Sequence, residues 1–212
     1  LAAIQESSAL LSEGLVGELS GDQQEIIRIQ SSNCQRLATI IENLLRHNTD
    51  SFSVLNAMPQ ELRFDKIIEG VVAAHEVALT SRQLQITSSL DRLTVMGESE
   101  QLRVIVDNLM SNAIRFSPSG GIVTVRLLED RQQVIFEILD QGPGIKPEEA
   151  EKVFEAFYKG QPAANDFYKG SGLGLAIAEE YAKAHGGTLE AVTSGQGGYF
   201  RLALPGTTRD HR

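Results

Sequence analysis

Apolar residues recur at helical spacing from the start of the chain. Leu1, Ile4, Leu11 and Leu15, with Ser8 among them, mark one stripe. The run "GLVGELSGD" interrupts it as a turn, with Ser20 or Asp22 placed to cap the second helix. A second stripe, Ile26, Ile29, Asn33, Leu37, Ile40, Ile41, Leu44 and Leu45, runs up to Arg46. The pattern predicts a two-helix hairpin over residues 1–48. A hairpin of this size cannot bury two apolar faces by itself. The length and width of the second stripe favour dimerisation, with a helical appendage as the plainer alternative.

The polar segment "NTDSFSVLNAMPQ" reads as a linker over residues 49–59, ended by Pro59. From residue 60 to 206 helical and alternating periods succeed one another. "FDKIIEGVVAAHEVALTSR" predicts a helix, and "LQITSSL" and "TVMGE" predict strands. "ESEQLRVIVDNLMSNAIRFS" predicts a long helix, closed by Pro118 and the glycines after it. "GIVTVRLLED" and "QQVIFEILD" alternate as two strands joined by a tight polar turn. "PEEAEKVFEAF" predicts a helix with Pro147 in its first turn. Residues 159–170 have no period and predict a mobile loop. "GLGLAIAEEYAKAHGG" then predicts a helix, and "TLEAVT" and "YFRLALP" predict strands. The fold class is α+β, a mixed sheet with helices on one face, and residues 207–212 are a tail.

Composition adds limits. Of the 212 residues, 42% are hydrophobic, and the formal net charge of −9 argues against a nucleic-acid partner. The single cysteine, Cys34, excludes an internal disulfide and suits a reducing compartment. No apolar run reaches the roughly 20 residues of a membrane span. No signal peptide is recognisable, and the chain opens in mid-pattern, as a piece of something longer would.

Three stretches carry candidate chemistry. Asn108 and Asn112 share a helical face with Arg115. Asparagine is a poor interior helix residue, so two of them need partners. Their amide oxygens suit Mg²⁺, and Arg115 could meet a phosphate; a hydrogen-bonded structural pair serves equally well. Asp140 stands where an apolar strand opens into "DQGPGI". A carboxylate there can accept from an exocyclic amine, with Gly142 and Gly144 allowing close approach, although an ordinary turn Asp is the commoner outcome. "GSGLGLAIAEEYAKAHGG" runs a glycine-rich turn into a helix N-terminus, where free N–H groups suit phosphate.

Taken together, Asn108-x-x-x-Asn112, Asp140-x-Gly142-x-Gly144 and Gly170-x-Gly172-x-Gly174-Leu175 strongly resemble the ATP-binding domain of sensor histidine kinases, the Bergerat-type GHKL fold shared with DNA gyrase and MutL. "VFEAFYKG" is similar to the phenylalanine box and "SGQGGYFRLALP" to the last glycine segment and strand. No Walker-type motif is present. The resemblance implies a two-layer α/β sandwich that binds ATP and Mg²⁺. It implies that Asp140 reads the adenine amine, with Gly142, Gly144 and Ile145 beside it. Asn112, with Asn108, would hold the metal, and Arg115 would touch phosphate. Residues 155–169 would be a lid anchored by Phe154 and Phe157, entered through Phe157, Tyr158 and Lys159. Gly170, Ser171, Gly172, Leu173, Gly174 and Leu175 would close it over the phosphates. The family often has Thr where Gly198 stands, so a side-chain contact to adenine from that position is absent.

The hairpin resembles the dimerisation and phosphotransfer hairpin of these kinases, a four-helix bundle in the dimer. The chain begins where the His-Glu-Leu-Arg/Lys-Thr-Pro box would have ended. Of His47, His75, His185 and His211, none combines an acidic neighbour with a downstream Thr-Pro, and none is expected to sit beside an acid. His185 reads as a helix-end cap. The acceptor histidine is therefore expected to be missing. The resemblance implies the ATP-binding catalytic part of a sensor histidine kinase, transferring the γ-phosphoryl to a histidine for relay to a response-regulator receiver domain. It implies a homodimer at the cytoplasmic side of a bacterial inner membrane, reaching the membrane only through preceding sequence. The alternatives are a GHKL-type ATPase and a non-catalytic nucleotide-responsive module. Hydrolysis is disfavoured because Asn108 stands where those relatives carry a basic Glu, and Asp107 points about 100° away.

Overall fold

A computed structural model describes residues 59–159, 172–193 and 197–206, with Gly195 and the isolated positions Leu11, Gly17, Ser20, Gly21, Gln23 and Ile27. The chain divides into two compact units, Leu1–Leu55 and Asn56–Arg212. The hairpin at 1–48 (those isolated positions apart), the linker before Pro59 and the tail at 207–212 lie outside the described residues. In the first unit Ser20 is the cap. Its Oγ accepts from the Gln23 N–H at 3.3 Å, and the Gln23 Oε1 accepts from the Ser20 N–H at 2.8 Å. This reciprocal pair satisfies two donors that a helix start leaves open.

The second unit begins with β1 (Gln60–Arg63), α1 (Phe64–Ala74), α2 (Glu76–Ser81), β2 (Gln85–Leu90), β3 (Thr94–Gly97) and α3 (Ser99–Phe116). Then come β4 (Ile122–Asp130), β5 (Gln133–Leu139), two 3-10 turns at Pro147–Glu149 and Lys152–Phe154, α4 (Gly174–Ala184), β6 (Thr188–Ala191) and β7 (Tyr199–Pro205). The main sheet has the order β2-β4-β5-β7-β6, and β1 pairs with β3 in a separate two-stranded sheet. The β2–β4 pair is parallel and the other neighbours are antiparallel. A parallel pair needs a long crossover, and the chain from β3 through α3 supplies it. The sheet is therefore mixed, as expected.

The apolar alternation decides which side is packed. Val123, Val125 and Leu127 of β4, Val134, Phe136 and Ile138 of β5, and Phe200, Leu202 and Leu204 of β7 are all buried. They meet Leu102, Ile105, Val106, Leu109, Met110 and Ala113 of α3, spaced as one face of a helix, and Ile177, Ala178 and Tyr181 of α4. Phe64 of α1 meets Phe136 edge-on, with ring centroids 5.9 Å apart. The turn between β4 and β5 puts Arg131 and Gln132 at φ 48° and 67°, both left-handed. That conformation matches strand twist in a two-residue hairpin, here achieved without glycine.

The residues near the site depart from expectation in three places. The helix expected over 64–82 breaks at His75, whose φ of −93° and ψ of 4° leave the helical well. Its Nε2 lies 2.9 Å from Asp107 Oδ1 on α3, a cross-helix pair that local periodicity does not encode. The helix expected over 147–157 is replaced by the two 3-10 turns. Phe154 must reach Phe200 on β7, with centroids 6.3 Å apart, and Glu155 is already extended at ψ 137°. Strand β1 was not foreseen, because "QELR" offers no alternation to read.

Helix α3 ends at Ser117, extended at ψ 141°, as a residue before proline prefers. Its last carbonyls are taken by one side chain from another element. Arg82 Nη1 donates to the oxygens of Ile114 and, at 2.8 Å, of Arg115, while Nη2 donates to Ser117 at 2.8 Å. A cation forking onto a helix C-terminus adds charge-assisted bonds to a favourable dipole contact. Arg82→Ala is expected to cost about 2–3 kcal/mol. A fall in the urea midpoint with unchanged m checks it, and Arg82→Lys should restore only part, since an ammonium cannot make the fork.

Candidate nucleotide-binding site

Helix α3 carries Asn108, Asn112 and Arg115 on the face away from its buried stripe, all half-buried. Asn108 Nδ2 donates to the Val104 carbonyl at 3.0 Å. Its Oδ1 presses on α4, where a Cβ built on Gly174 would stand 2.4 Å from it. Gly174 is the first residue of α4, and no side chain among the described residues caps that end. The first turn of α4 thus begins beside Asn108, and a helix N-terminus is favourable for an anion. Arg115 Nη2 donates to Asn112 Oδ1 at 3.2 Å, and its guanidinium lies 4.3 Å from the centroid of the Phe116 ring.

The other end of α3 meets the Asp140 turn. A Cβ on Gly142 would lie 2.6 Å from the Phe116 carbonyl oxygen and 2.8 Å from Asp140 Oδ1. Asp140 follows β5 and is 8% exposed. Its Oδ1 accepts from the N–H groups of Gly142 at 2.6 Å and Gly198 at 2.9 Å. Its own N–H donates to the Gly198 carbonyl at 2.8 Å. Burial pushes the carboxyl up from its usual range, against the two N–H donors that pull it down. Gly144 and Gly197, at φ 78° and 73°, face each other, with a Cβ on Gly144 reaching 3.2 Å from the Gly197 oxygen. Gly197 and Gly198 were not among the expected site residues. The signal was the Gly-Gly pair before the last strand, whose value lies in backbone rather than side chain.

Gly172, at φ 78°, packs on the start of the expected lid. Its carbonyl accepts from the Phe157 N–H at 2.9 Å, and a Cβ there would lie 2.8 Å from the Phe157 backbone. The two ends of the intervening segment are thus joined by backbone. Phe157 itself is 60% exposed and left-handed at φ 67°, whereas Phe154 packs on Phe200. Tyr158 donates to Glu149 at 3.0 Å. Leu173 is buried, Ile145 and Leu175 are half-buried, and Lys159 is exposed. Gly170, Ser171 and the lid from residue 160 to 171 lie outside the described residues.

The histidines separate clearly. His185 ends α4, with Nδ1 2.7 Å from the Tyr181 oxygen and Nε2 accepting from the Glu98 N–H at 3.1 Å. It joins the end of α4 to the start of α3, a packing role as expected. His75 corrects the expectation that no histidine sits beside an acid, since Glu76 is next to it in the chain and Asp107 pairs with it. The same pair holds Asp107 on the α1 side of α3, away from the asparagine face. His47 and His211 lie outside the described residues.

A magnesium ion needs only one or two protein oxygens when phosphates and waters complete its shell. Asn112 Oδ1, with Asn108 Oδ1 one turn away, fits that requirement once Arg115 yields its bond to Asn112. Among the described residues no group of three His, Cys, Asp or Glu could hold a metal alone, so the phosphates would have to supply the charge.

Comparison with known proteins identifies the family and the fold. Residues 97–208, more than half of the chain, match the family model described as histidine kinase-, DNA gyrase B-, and HSP90-like ATPase. The sensor histidine kinase GlrK of Escherichia coli (strain K12) is 30% identical over 206 residues, covering 97% of this chain but 43% of its own length. The chain thus spans less than half of that relative. The solved mycobacterial sensor histidine kinase MprB is 32% identical, with a TM-score of 0.61 over 70% of this chain and 97% of its own. The histidine kinase ThkA, solved in complex with the response regulator TrrA, shares the fold at 19% identity, with a TM-score of 0.71 over 97% of this chain and 60% of its own.

Proposed function

Because the chain belongs to the family of histidine kinase-, DNA gyrase B- and HSP90-like ATPases and carries a histidine kinase ATP-binding domain, we propose that it binds Mg²⁺-ATP and donates the γ-phosphoryl to an imidazole for relay to a response regulator. The observation that carries this is the convergence on one helix. Asn108 touches the uncapped start of α4, and Phe116 touches the Asp140 turn. The two points lie roughly 12 Å apart along α3 at 1.5 Å per residue. That separation suits the two ends of one extended ligand.

In this reading Asp140 accepts the adenine amine, and the glycines of its turn let the base lie against backbone. Asn112 and Asn108 hold Mg²⁺, which when bound neutralises phosphate charge. Arg115 exchanges Asn112 for a phosphate oxygen, and the first turn of α4 receives the remaining phosphates. The residues orient the nucleotide and exclude water; the bond from phosphorus to ADP breaks as the bond to nitrogen forms. Hydrolysis is the second reading, and two contacts weigh against it. Asn108 is an amide committed to Val104, and Asp107, the nearest carboxylate in sequence, is paired with His75. A non-catalytic nucleotide-responsive module is less favoured, because the asparagines, Asp140 and the glycines of both turns are all present.

Neither described histidine is placed to be the acceptor: His185 has both ring nitrogens engaged and His75 is held by Asp107. Dimerisation would run through the region 1–48, and a receiver domain would be the partner, as TrrA is for ThkA. No helix among the described residues is long and apolar enough to cross a membrane. Radiolabelled ATP should leave acid-labile, base-stable phosphate on a separate polypeptide carrying a His-Glu-Leu-Arg/Lys-Thr-Pro box and a complete hairpin, and none on this chain. Label on His47, His75, His185 or His211, or sustained phosphate release without any labelled protein, contradicts the reading.

A further inference from the structure

We propose that His185 is a positioning residue for the phosphate end of this site, setting from the far end of α4 where the first turn of that helix stands against Asn108 and Asn112. The inference rests on the nucleotide-binding reading above and adds a residue to it. Helices α3 and α4 meet at two marked points. Gly174, the first residue of α4, lies against Asn108 Oδ1. His185, just past the last residue of α4, accepts on Nε2 from the Glu98 N–H at 3.1 Å, at the start of α3. Glu98 and Asn108 lie roughly 15 Å apart along α3, and Gly174 and His185 roughly 16 Å apart along α4, at about 1.5 Å per residue. The spans match, so the two helices run side by side in opposite directions and touch at both ends of α4.

The two contacts differ in kind. At Gly174 an oxygen presses on a residue without a side chain, and between the ends Ile177, Ala178 and Tyr181 are buried. Such burial is non-directional, and packed helices slide past one another by small shears. At His185 the contact is directional. Nδ1 lies 2.7 Å from the Tyr181 carbonyl, which only accepts, and Nε2 faces the Glu98 amide, which only donates. The neutral ring with its proton on Nδ1 is the form that satisfies both. The ring also has a fitted seat, since a Cβ on Gly97 would stand 2.6 Å from Nε2. Glu98 receives no side-chain cap as α3 begins, so the bond to His185 is what ties that start to α4. A shift of α4 along its axis would move its first turn relative to Asn108, Asn112 and Arg115. It would leave Asp140, beyond the other end of α3, in place. His185 therefore acts on the phosphates and spares the base.

The test titrates ATP in Mg²⁺, and separately adenosine, into the 212-residue chain by amide NMR, for the parent and for His185→Leu and His185→Gln. Leucine fills the place of the ring without an acceptor, whereas glutamine carries an amide oxygen able to reach the Glu98 N–H. His185→Leu should lose about tenfold of its ATP affinity while adenosine affinity holds, and His185→Gln should recover most of that loss. Equal losses for the two ligands would assign His185 a merely structural role and overturn the inference. An unchanged ATP affinity, or a glutamine variant as weak as the leucine one, overturns it too. Should His185→Leu not fold, the parent still decides. Coupling is reciprocal, so phosphates that need the bond between His185 and Glu98 must also strengthen it. At equal saturation ATP should slow hydrogen exchange of the Glu98 amide about threefold or more beyond what adenosine does. Exchange slowed equally by both ligands, or by neither, refutes the assignment. A parent that binds ATP but not adenosine lacks a separate base end and overturns the inference alone. A parent that binds neither overturns the nucleotide-binding reading and this inference with it.

Discussion

Asp140→Asn is expected to weaken ATP binding by about 100-fold or more, on the order of 3 kcal/mol, without loosening the fold. The asparagine Oδ1 can still accept the N–H groups of Gly142 and Gly198, so the turn keeps its bonds. What changes is the other arm. Oδ2 becomes an NH₂ group, and a donor then faces the adenine amine, another donor. A 6-oxo purine presents an acceptor at that place, so the variant should bind inosine triphosphate better than ATP. Stability should hold or rise. Burial raises the Asp140 pKa, so between its ordinary value of 3.8 and the raised one the folded chain binds more protons than the unfolded chain. Stability therefore falls as pH rises through that window, and the neutral amide escapes the cost. In the parent the sign for binding is opposite. Protonation removes the charge and can turn the oxygen that faces the amine into a donor, so ATP affinity is full above the raised value and falls as pH drops through it, earlier than for an ordinary aspartate. Calorimetric titration of ATP and inosine triphosphate, across pH for the parent, checks both statements. An ATP affinity unchanged in the variant would remove Asp140 from base recognition.

Gly197→Ala should be the most damaging small substitution in the site, costing about 3 kcal/mol or more. The residue is left-handed at φ 73°, and an added Cβ would lie 1.8 Å from the Asp140 carbonyl oxygen. That oxygen is backbone and cannot turn aside, so the two strand ends must part, along with the bonds between Asp140 and Gly198. Gly195 is the control. It has the same φ of 73° with nothing within 4 Å of its Cβ position, and Gly195→Ala should cost only the backbone component, about 1–2 kcal/mol. Urea unfolding of the two variants separates conformational strain from collision. Equal midpoints would show that Asp140 and Gly197 do not press together as described.

Much of the domain was legible because its information is local. The helical period of "LRVIVDNLMSNAIRF" buries Leu102, Ile105, Val106, Leu109 and Met110 and leaves Asn108, Asn112 and Arg115 on the other face. The alternation of "IVTVRLL" likewise decides which side of β4 meets the helices. Where a distant contact outweighed local preference, reading failed. Nothing near His75 in the chain announces Asp107, yet that pair accompanies a break in a strongly periodic helix. "PEEAEKVFEAF" has the composition of a helix, but packing Phe154 on Phe200 left two tight turns instead.

The sequence by itself determined the class of fold, the order of the motifs and the residue types able to meet a nucleotide, since periodicity, turn chemistry and capping act between neighbours. It could not say how those residues face one another. Only the tertiary structure decided that Gly198 reaches across 58 positions to share Asp140 Oδ1 with Gly142, that Arg82 closes the end of α3, and that Asn108 lies against the first residue of α4. The physical reason is one of distance along the chain. A hydrogen bond or a forbidden Cβ depends on two backbones meeting in space, and packing the sheet against α3 and α4 is what brings them together.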